Sequence, residues 1–387
     1  MLQRFLVVRL LSPIPMAQRL HRSGRVPPRP ELPDNPRAIL VVRLSARGDV
    51  MFATPIIRAL RRRYPETHLT WVVEPAARDV VEHHPELDEV LVWDRPRWKK
   101  LLKAGRLREL WQEFTAFRET LRARRYEVAL DMQGLSRSSL VTLWSGAPLR
   151  LGLGSKEGSG YVMHQVHPTG LEVQYMSADP RLFADWIGLD TSPWQLDLVL
   201  APGLRDRART RLDQEGVGER YILLVPFTTR PWKHWVESRW GPLARRLREE
   251  LDLPVVLAGG PADRPAADRV LADAGEGVVD LVGKTSLGEA MALVAESTLV
   301  VGVDTGLTHA AHGFMRPTLC LFGPSGYTVA PTPVARMIRH DLACSPCTIR
   351  TGGPICGGDY TCMQLIREGE VVAAARELLG AVEDGGP

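Results

Sequence analysis

The sequence predicts an α/β protein with two domains, each built on a parallel sheet. With 387 residues, the chain exceeds what one hydrophobic core usually serves, so two domains of about 150 residues each are expected. Short apolar runs alternate with segments of helical periodicity, a pattern typical of parallel strands covered by helices on both faces. The same alternation starts again in the second half. Two such halves are expected to face each other across a cleft that binds a nucleotide-bearing ligand.

The first half shows four strand patterns and ends in a proline-containing linker. The strand patterns cover residues 38–44, 69–73, 90–93 and 128–131. Helical spacing follows the first strand, where Pro55 is tolerated only in the first turn of a helix or at a kink. The glycine-rich segment 146–160 is predicted to be a loop, and residues 178–187 a helix. We therefore expect a first domain over residues 37–190 and a linker over residues 191–203.

The second half, residues 204–387, repeats the pattern. Its strand patterns cover residues 221–225, 255–258, 278–282, 299–303 and 318–322. A helix with an apolar face between Trp240 and Leu247 follows the first of these strands. The last two strands flank a short polar turn, Asp304-Thr305-Gly306, and a helix that starts at Leu307.

The composition indicates a globular protein. Hydrophobic residues make up 44% and charged residues 24% of the chain, and no apolar run approaches the roughly 18 residues of a transmembrane helix. Residues 1–11 superficially resemble a signal peptide but contain arginines and lack a cleavage site, so we expect them to be retained. Residues 1–36 are predicted to form a basic amphipathic helix and a proline-rich tether. Five cysteines, four of them near the C-terminus, favour a reducing cytoplasm.

Positive charge is concentrated in two stretches. Residues 4–29 carry six arginines and no acid, and residues 95–125 carry eleven cations against three glutamates. Trp93, Trp98 and Trp111 lie beside or within the second stretch. Basic residues mixed with tryptophans fit an anionic membrane surface or a phosphorylated acceptor, and the same electrostatics fit nucleic acid. A solvated helix with its tryptophans packed inward explains the pattern equally well.

The turn Asp304-Thr305-Gly306 is a candidate anion site. The start of a helix leaves backbone N–H groups unpaired and aims the positive end of the helix dipole at the edge of the sheet. Thr305 adds a hydroxyl, Gly306 permits close approach of a ligand to the backbone, and His309 lies one turn further along. The alternative is an ordinary turn in which Asp304 caps the helix and His309 is solvated.

Three further polar residues follow predicted strands, where ligands of parallel sheets usually bind. Asp49 is placed to act as a general base for a hydroxyl group. Lys233 is placed to neutralise a diphosphate leaving group, and Asp263 to accept hydrogen bonds from ribose hydroxyls. Asp49 and Asp263 also fit helix caps, and Lys233 also fits an ordinary solvated lysine.

The patterns typical of metal and phosphate sites are incomplete. Four cysteines have a spacing compatible with a structural zinc site, although free thiols explain them as well: Cys344, Cys347, Cys356 and Cys362. No Asp-x-Asp sequence occurs in the chain, so a metal-clamped sugar-nucleotide site of that kind is not expected, and we predict no catalytic metal or other cofactor. Gly283-Lys284-Thr285 lacks the glycine-rich cradle of a phosphate loop.

Several motifs, in chain order, resemble those of the heptosyltransferase family, glycosyltransferase family 9. They are ILVVRLSARGDV, YEVALDMQGLSRSSL, TTRPWKHW, VVLAGGPADR, LVGKTSLGEAMALVAES and GVDTGLTHAA. The resemblance covers about residues 38–370. It implies a GT-B architecture of two Rossmann-like domains, the first binding the acceptor and the second binding the nucleotide-sugar donor. It also implies inverting, metal-independent transfer of a heptose from ADP-heptose to the inner core of lipopolysaccharide, on the cytoplasmic face of the inner membrane.

The resemblance also implies roles for single residues and a set of partners. The matching positions are Asp49 for the base, Lys233 for a phosphate contact, Asp263 for a ribose contact, and Asp304, Thr305, Gly306 and His309 for the donor diphosphate loop. The implied partners are an ADP-sugar donor, an anionic glycolipid acceptor and the inner-membrane surface, without nucleic acid. Residues 170–179 depart from the family pattern, which leaves the acceptor open. The alternatives are another nucleotide sugar or acceptor, or a non-catalytic protein that binds a membrane surface or nucleic acid on the same scaffold.

Overall fold

The chain is described by a computed structural model, which covers residues 26–171, 178–325, 332, 334–345, 347 and 355–383. These residues form two compact units. The first comprises the described residues up to Leu171 together with residues 178–199, and the second begins at Leu200. The basic helix predicted within residues 1–25 lies outside the described residues. None of the helices that are described combines the length and the apolar composition needed to cross a bilayer.

The first unit contains a six-stranded parallel sheet in the order β3-β2-β1-β4-β5-β6. Its strands are β1 (Ala38–Val42), β2 (His68–Val73), β3 (Glu89–Val92), β4 (Val128–Asp131), β5 (Leu149–Leu153) and β6 (Gln165–His167). Its helices are α1 (Arg47–Ala53), α2 (Pro55–Arg63), α3 (Arg95–Lys103), α4 (Leu107–Ala123), α5 (Ser136–Trp144) and α6 (Ala178–Trp186), with 3-10 turns at Pro75–Val80 and Ser159–Val162. The strand order reverses between β1 and β4, which is where ligands usually bind at the carboxyl edge of such sheets.

The second unit repeats this plan with the order β12-β11-β10-β7-β8-β9. Its strands are β7 (Ile222–Val225), β8 (Val255–Leu257), β9 (Val278–Asp280), β10 (Leu299–Val303), β11 (Thr318–Leu321) and β12 (Ala335–Ile338). Its helices are α7 (Leu204–Gln214), α8 (Trp240–Leu251), α9 (Arg264–Ala274), α10 (Leu287–Glu296), α11 (Gly306–Gly313), α12 (Thr361–Gln364) and α13 (Glu368–Glu383), with 3-10 turns at Pro231–Lys233, Glu237–Arg239 and Pro261–Asp263. The corresponding reversal lies between β7 and β10.

The central strands are apolar on both faces because helices cover the sheet on both sides. In β1 every residue is buried, and Leu40 packs in one cluster with Leu121 of α4 and Val141 of α5. In β10 the glycine Gly302 is required by close packing, since a Cβ atom there would lie 2.8 Å from the carbonyl oxygen of Val225. These strands therefore hold the loops at their carboxyl ends on a rigid base.

The predicted α/β class is confirmed, but one predicted loop is wrong. Residues 146–160 contain β5, which pairs with β4 on one side and β6 on the other. Gly152 lies inside this strand, where a Cβ atom would come within 3.1 Å of the Met163 side chain. Close packing against Met163, and not a turn, therefore explains why glycine occupies this position. Pro55 occupies the first turn of α2, which is one of the two positions predicted for it.

Both ends of the first unit are attached to it by specific contacts. The proline-rich residues from Val26 onward lie against α6, where the Trp186 indole donates to the carbonyl oxygen of Pro27 at 2.9 Å. In the predicted linker, the Asp197 carboxylate binds His84 Nε2 at 2.8 Å and also accepts from Arg58. The linker segment is therefore held to the first unit as far as Asp197.

Candidate active site

A buried carboxylate, Asp304, lies at the carboxyl end of β10 in the second unit. The Nζ atom of Lys233 lies 2.5 Å from its Oδ2 atom. The Nε2 atom of His309 lies 3.1 Å from its Oδ1 atom, and the Ser325 hydroxyl donates to Oδ2 at 2.9 Å. Lys233 comes from the turn after β7, His309 from α11 and Ser325 from the segment after β11. One carboxylate therefore joins three separate segments at the edge of this sheet.

The charges of this cluster stabilise one another. Burial disfavours the ionised form of Asp304, but the hydrogen bond and charge of His309 and the charge of Lys233 outweigh burial, so the pKa of Asp304 lies well below its usual range. The carboxylate therefore remains an anion at ordinary pH and fixes the positions of its partners. The Lys233 side chain is 24% exposed. Its ammonium group is anchored by the Asp304 carboxylate, and part of the side chain remains exposed.

The simpler interpretation of the turn, with Asp304 as the helix cap and His309 solvated, is wrong. Thr305 occupies the capping position of α11, and the Asp304 carboxylate binds side chains instead of helix N–H groups. His309 is buried. The first N–H groups of α11, which begins at Gly306, lack partners within the helix and face the sheet edge with the positive end of the helix dipole.

Asp263 lies at another strand end of the same sheet, after β8. Its Oδ2 atom accepts from the backbone N–H of Gly260 at 2.8 Å, which closes the turn that leads into α9. In the part of the chain that the structure describes, no hydrogen bond or ion pair links Asp263 to the Asp304 cluster. The structure thus brings Lys233, Asp304 and His309 together and leaves Asp263 apart from them.

Asp49 lies in the first unit, in the first turn of α1, which follows β1 after a short loop. Its Oδ2 atom accepts from the backbone N–H of Ala46 at 3.2 Å and lies 3.3 Å from Nη2 of Arg43. The side chain is 48% exposed. None of the described residues forms a hydrogen bond with Oδ1. One carboxylate oxygen of Asp49 is fixed by the protein, and the other is available to a ligand.

Two residues that hold the Asp49 loop were not singled out in the sequence, Arg43 and Gln133. The Arg43 guanidinium donates to the carbonyl oxygen of Met132. The Gln133 side chain accepts from the backbone N–H of Leu44 at 2.8 Å. Together they tie the loop after β1 to the loop after β4. The signal that points to them is the polar sequence that follows the apolar strand β4 at the reversal of strand order.

Asp131, the last residue of β4, is also a buried carboxylate, and it was not singled out in the sequence analysis. It accepts from the backbone N–H groups of Gln133 and Gly134 at 2.9 and 3.1 Å and from the Ser138 hydroxyl at 3.0 Å. Burial raises its pKa to about 6 because these hydrogen bonds only partly replace the lost hydration. Asp131 shapes the loop that carries Gln133.

None of the four cysteines considered as zinc ligands forms a disulfide in the part of the chain that the structure describes. Cys347 and Cys362 are buried, and Cys356 is exposed. Burial and the neighbouring thiols raise the pKa of Cys362 to about 11. Across the ranges that the structure describes, no group of three or more His, Cys, Asp or Glu side chains is arranged to hold a metal ion. The zinc site and the metal-independent reaction both stay predictions.

Comparison with known proteins decides the family. The sequence model of glycosyltransferase family 9 (heptosyltransferase) matches residues 114–352, which is well over half of the chain. The chain belongs to this family. The resemblance stated from the motifs is therefore confirmed.

Relatives of this family 9 protein include proteins named as heptosyltransferases and solved structures. It is 28% identical over 317 residues to lipopolysaccharide heptosyltransferase 1 of Salmonella typhimurium, covering 79% of this chain and 93% of that protein. The structure of Escherichia coli ADP-heptose lipopolysaccharide heptosyltransferase II has a TM-score of 0.69 at 25% identity and covers 89% of this chain and 99% of that one. An E. coli heptosyltransferase with ADP-2-deoxy-2-fluoro heptose has a TM-score of 0.66 at 24% identity, covering 88% and 99%. The predicted GT-B fold class is confirmed.

Replacing Asp304 with asparagine is expected to lower the free energy of unfolding by about 3 kcal/mol, because Lys233 loses its buried counter-charge and His309 and Ser325 lose the carboxylate that they contact. Urea denaturation measures this loss. Since the folded-state pKa of Asp304 is lowered, the loss is fully present above the unfolded-state pKa of about 4 and shrinks as the pH falls below it. The matched control is Asp268→Asn, an exposed carboxylate paired with Arg264, which is expected to cost less than about 1 kcal/mol. Equal stability of Asp304→Asn and wild type at pH 7 would contradict the network.

Proposed function

We propose that this protein is an inverting heptosyltransferase that moves a heptose from ADP-heptose to a hydroxyl group of the lipopolysaccharide inner core. The observation that carries the proposal is the Asp304 cluster, which places an anchored ammonium group beside the start of a helix in a fold of this family. A relative named lipopolysaccharide heptosyltransferase 1 and a related structure with ADP-2-deoxy-2-fluoro heptose support this choice of donor and acceptor.

The second unit is assigned to the donor diphosphate. Lys233 supplies a positive charge, and Thr305 and Gly306 supply backbone N–H groups. His309 is assigned to the same site, where its Nε2 atom binds the Asp304 carboxylate. As the bond between the heptose and the diphosphate breaks, negative charge grows on ADP, and these groups stabilise that charge more than they stabilise the intact donor. Asp304 acts as a positioning residue because its carboxylate is occupied by Lys233 and His309.

Asp263 is assigned to the ribose of the donor. Its Oδ2 atom accepts from Gly260, and a carboxylate has further acceptor positions for hydroxyl groups. Because protein cations and N–H groups meet the diphosphate charge and the chain has no Asp-x-Asp sequence, the proposal includes transfer without a metal ion or other cofactor.

The first unit is assigned to the acceptor, with Asp49 as the general base. The Oδ1 atom of Asp49 takes the proton of the acceptor hydroxyl while the hydroxyl oxygen attacks the anomeric carbon from the face opposite ADP. A bond forms between that oxygen and the anomeric carbon, the bond to the diphosphate breaks, and the anomeric configuration is inverted. Arg43 and the N–H group of Ala46 hold Oδ2 and so orient Oδ1.

The acceptor is proposed to be an anionic glycolipid. The carboxyl edge of the first sheet carries guanidinium groups that suit such a ligand. Arg137 donates to the Ser45 hydroxyl at 3.0 Å and its side chain is 34% exposed, and Arg95 pairs with Glu74 at 2.6 Å. An acceptor of this kind places the reaction at the cytoplasmic face of the inner membrane and involves no nucleic acid.

A transfer assay tests the function as a whole. The purified chain is expected to transfer heptose from ADP-heptose to an inner-core acceptor that lacks this heptose, with inversion seen by NMR and no loss of rate in EDTA. UDP- and GDP-sugars serve as control donors and are expected to give no product. Transfer from one of these alone, or absence of thermal stabilisation by ADP, would contradict the proposed donor.

Replacing Asp49 with asparagine is expected to lower kcat by a factor on the order of 10² to 10⁴, because the base is lost. The affinity for ADP is expected to stay unchanged, since the donor is assigned to the other unit. The control is Asp94→Asn, a helix-capping carboxylate of the first unit that accepts from the N–H of Arg97 at 3.0 Å, for which kcat stays near wild type. Wild-type turnover in Asp49→Asn would contradict the assignment of Asp49 as the general base.

Replacing Lys233 with alanine is expected to raise the Kd for ADP by about 10- to 100-fold, because a hydrogen bond to a charged phosphate contributes about 1.5–3 kcal/mol. Calorimetry at fixed ionic strength measures the change, and circular dichroism checks that the variant is folded. Lys284→Ala is the matched control because Lys284 pairs with Asp280 at 3.1 Å on the same unit. The phosphate role of Lys233 is excluded by equal ADP affinities of Lys233→Ala and wild type.

A further inference from the structure

The hairpin of α3 and α4 ends in an exposed apolar surface, the α3–α4 tip, formed by residues 102–111. Within the tip, the side chains of Leu102, Leu107 and Trp111 are 58%, 60% and 65% exposed. They are three of the four large apolar residues in the described ranges that are more than half exposed. A single exposed leucine is ordinary, but three such residues in one hairpin form a patch of the kind that contacts another surface.

The tip is distinct from the aromatic core on which the same hairpin packs. Trp93 is buried and packs edge-on against Trp98, with ring centroids 5.6 Å apart. Phe114 of α4 packs against Trp144 of α5 at 5.1 Å. Trp111 touches the margin of this cluster through Phe114, at 5.5 Å, while most of its side chain stays exposed. The core of the unit is therefore complete without the exposed face of Trp111.

The apolar residues of the tip are surrounded by positive charge. Residues 95–111 contain seven lysines and arginines and one glutamate. Arg97 is paired with Glu113 at 2.6 Å. Arg106 is paired with Glu109 at 2.5 Å. For the exposed cations that remain, no carboxylate of the described residues lies within ion-pair distance: Lys99, Lys100, Lys103 and Arg108.

We propose that the α3–α4 tip docks on an anionic lipid membrane. Leu102, Leu107 and Trp111 enter the boundary between headgroups and acyl chains, and the four unpaired cations contact lipid phosphates. Apolar side chains bordered by lysine and arginine are typical of surfaces that lie in a membrane interface, and tryptophan is enriched at that depth. Electrostatic contacts to nucleic-acid phosphates are made by the cations and leave the exposed leucines unused. The apolar part of the patch therefore favours a membrane.

This inference deepens the proposed function in one respect, because a lipid-linked acceptor is met at a membrane. Vesicle binding itself requires neither donor nor acceptor. Transfer to a soluble, delipidated acceptor therefore separates the two proposals. If variants of the tip lose vesicle binding and still transfer heptose to the soluble acceptor, the tip is supported as the membrane contact. Vesicle binding by a wild-type chain that transfers no heptose would overturn the proposed function alone.

The first experiment is flotation of the full-length chain with phosphatidylcholine vesicles, with and without phosphatidylglycerol. The wild type is expected to bind only the anionic vesicles, and less at high salt. Lys99/Lys100/Lys103→Gln is expected to lower binding on the order of 100-fold, since each lysine near an anionic surface contributes about fivefold. Leu102/Leu107→Ser is expected to lower it about tenfold.

Two control variants remove positive charge or apolar surface elsewhere. Arg205/Arg207/Arg367→Gln removes three exposed positive charges from the second unit, where Arg205 pairs with Glu296 and Arg207 lies 4.0 Å from Glu289. Ile355→Ser removes an apolar side chain that is 58% exposed. Both controls are expected to bind anionic vesicles within about twofold of the wild type, because neither changes the α3–α4 tip. Thermal unfolding of all variants excludes loss of fold as the cause.

The second experiment locates the contact by fluorescence. Lipids brominated near the headgroup quench tryptophans that enter the interface. Trp111→Phe is expected to keep most of the vesicle binding, since phenylalanine also enters the interface, and to lose the quenching that the wild type shows. Equal quenching of Trp111→Phe and wild type would overturn the assignment of the contact to the tip.

The arginines at residues 4–25 also carry positive charge and could contribute to vesicle binding, so their contribution is controlled for. The lysine variant is therefore compared with its parent twice, in the natural sequence and after replacing the five arginines between residues 4 and 25 with glutamine. Unchanged binding by the lysine variant in both backgrounds overturns the proposal. So does tighter binding to a single-stranded oligonucleotide than to anionic vesicles at the same salt, which would assign the tip to nucleic acid.

Discussion

A single buried negative charge, that of Asp304, joins the segments that follow β7, β10 and β11 in the second sheet. Removing a carboxylate from water costs several kcal/mol unless partners of opposite charge and hydrogen-bond donors replace the lost hydration. Lys233, His309 and Ser325 provide that replacement from three separate segments. The folded state therefore holds an ammonium group and a ring nitrogen next to the start of α11. Groups held in this way need no further ordering when an anion binds, which is the physical basis of preorganised electrostatic stabilisation.

In the first unit, hydrogen bonds between neighbouring loops fix the direction of the Asp49 side chain. Gln133 and Arg43 join the loop after β1 to the loop after β4, and Arg43 also faces one oxygen of Asp49. The second oxygen has no partner among the residues that the structure describes. A base requires this combination of a fixed direction and an open acceptor position. The two units thus carry different chemistry on similar sheets: fixed positive groups in the second unit and a half-open carboxylate in the first.

The tryptophans beside the basic stretch differ in how they pack. Trp93 and Trp98 pack inward, as in an ordinary helix that covers a core. Trp111 lies at the margin of the same aromatic cluster with most of its surface exposed. The reason is geometric, since a helix that covers a core on one face leaves its end and its opposite face to solvent. Composition alone assigns all three tryptophans to one class, whereas position on the hairpin separates them.

The sequence by itself determined the fold class, the family and the strands with strong apolar runs, such as β4 and β10, whose predicted bounds agree with the structure. It also placed Lys233, Asp304 and His309 at strand ends or in the helix that follows. A buried strand consists of a run of apolar residues, and for this reason these strands could be predicted from the sequence. Only the tertiary structure decided that Asp304 is a buried anion and that β5 lies inside a glycine-rich segment. Both depend on which distant segments pack together, and a local pattern of residues does not determine those contacts.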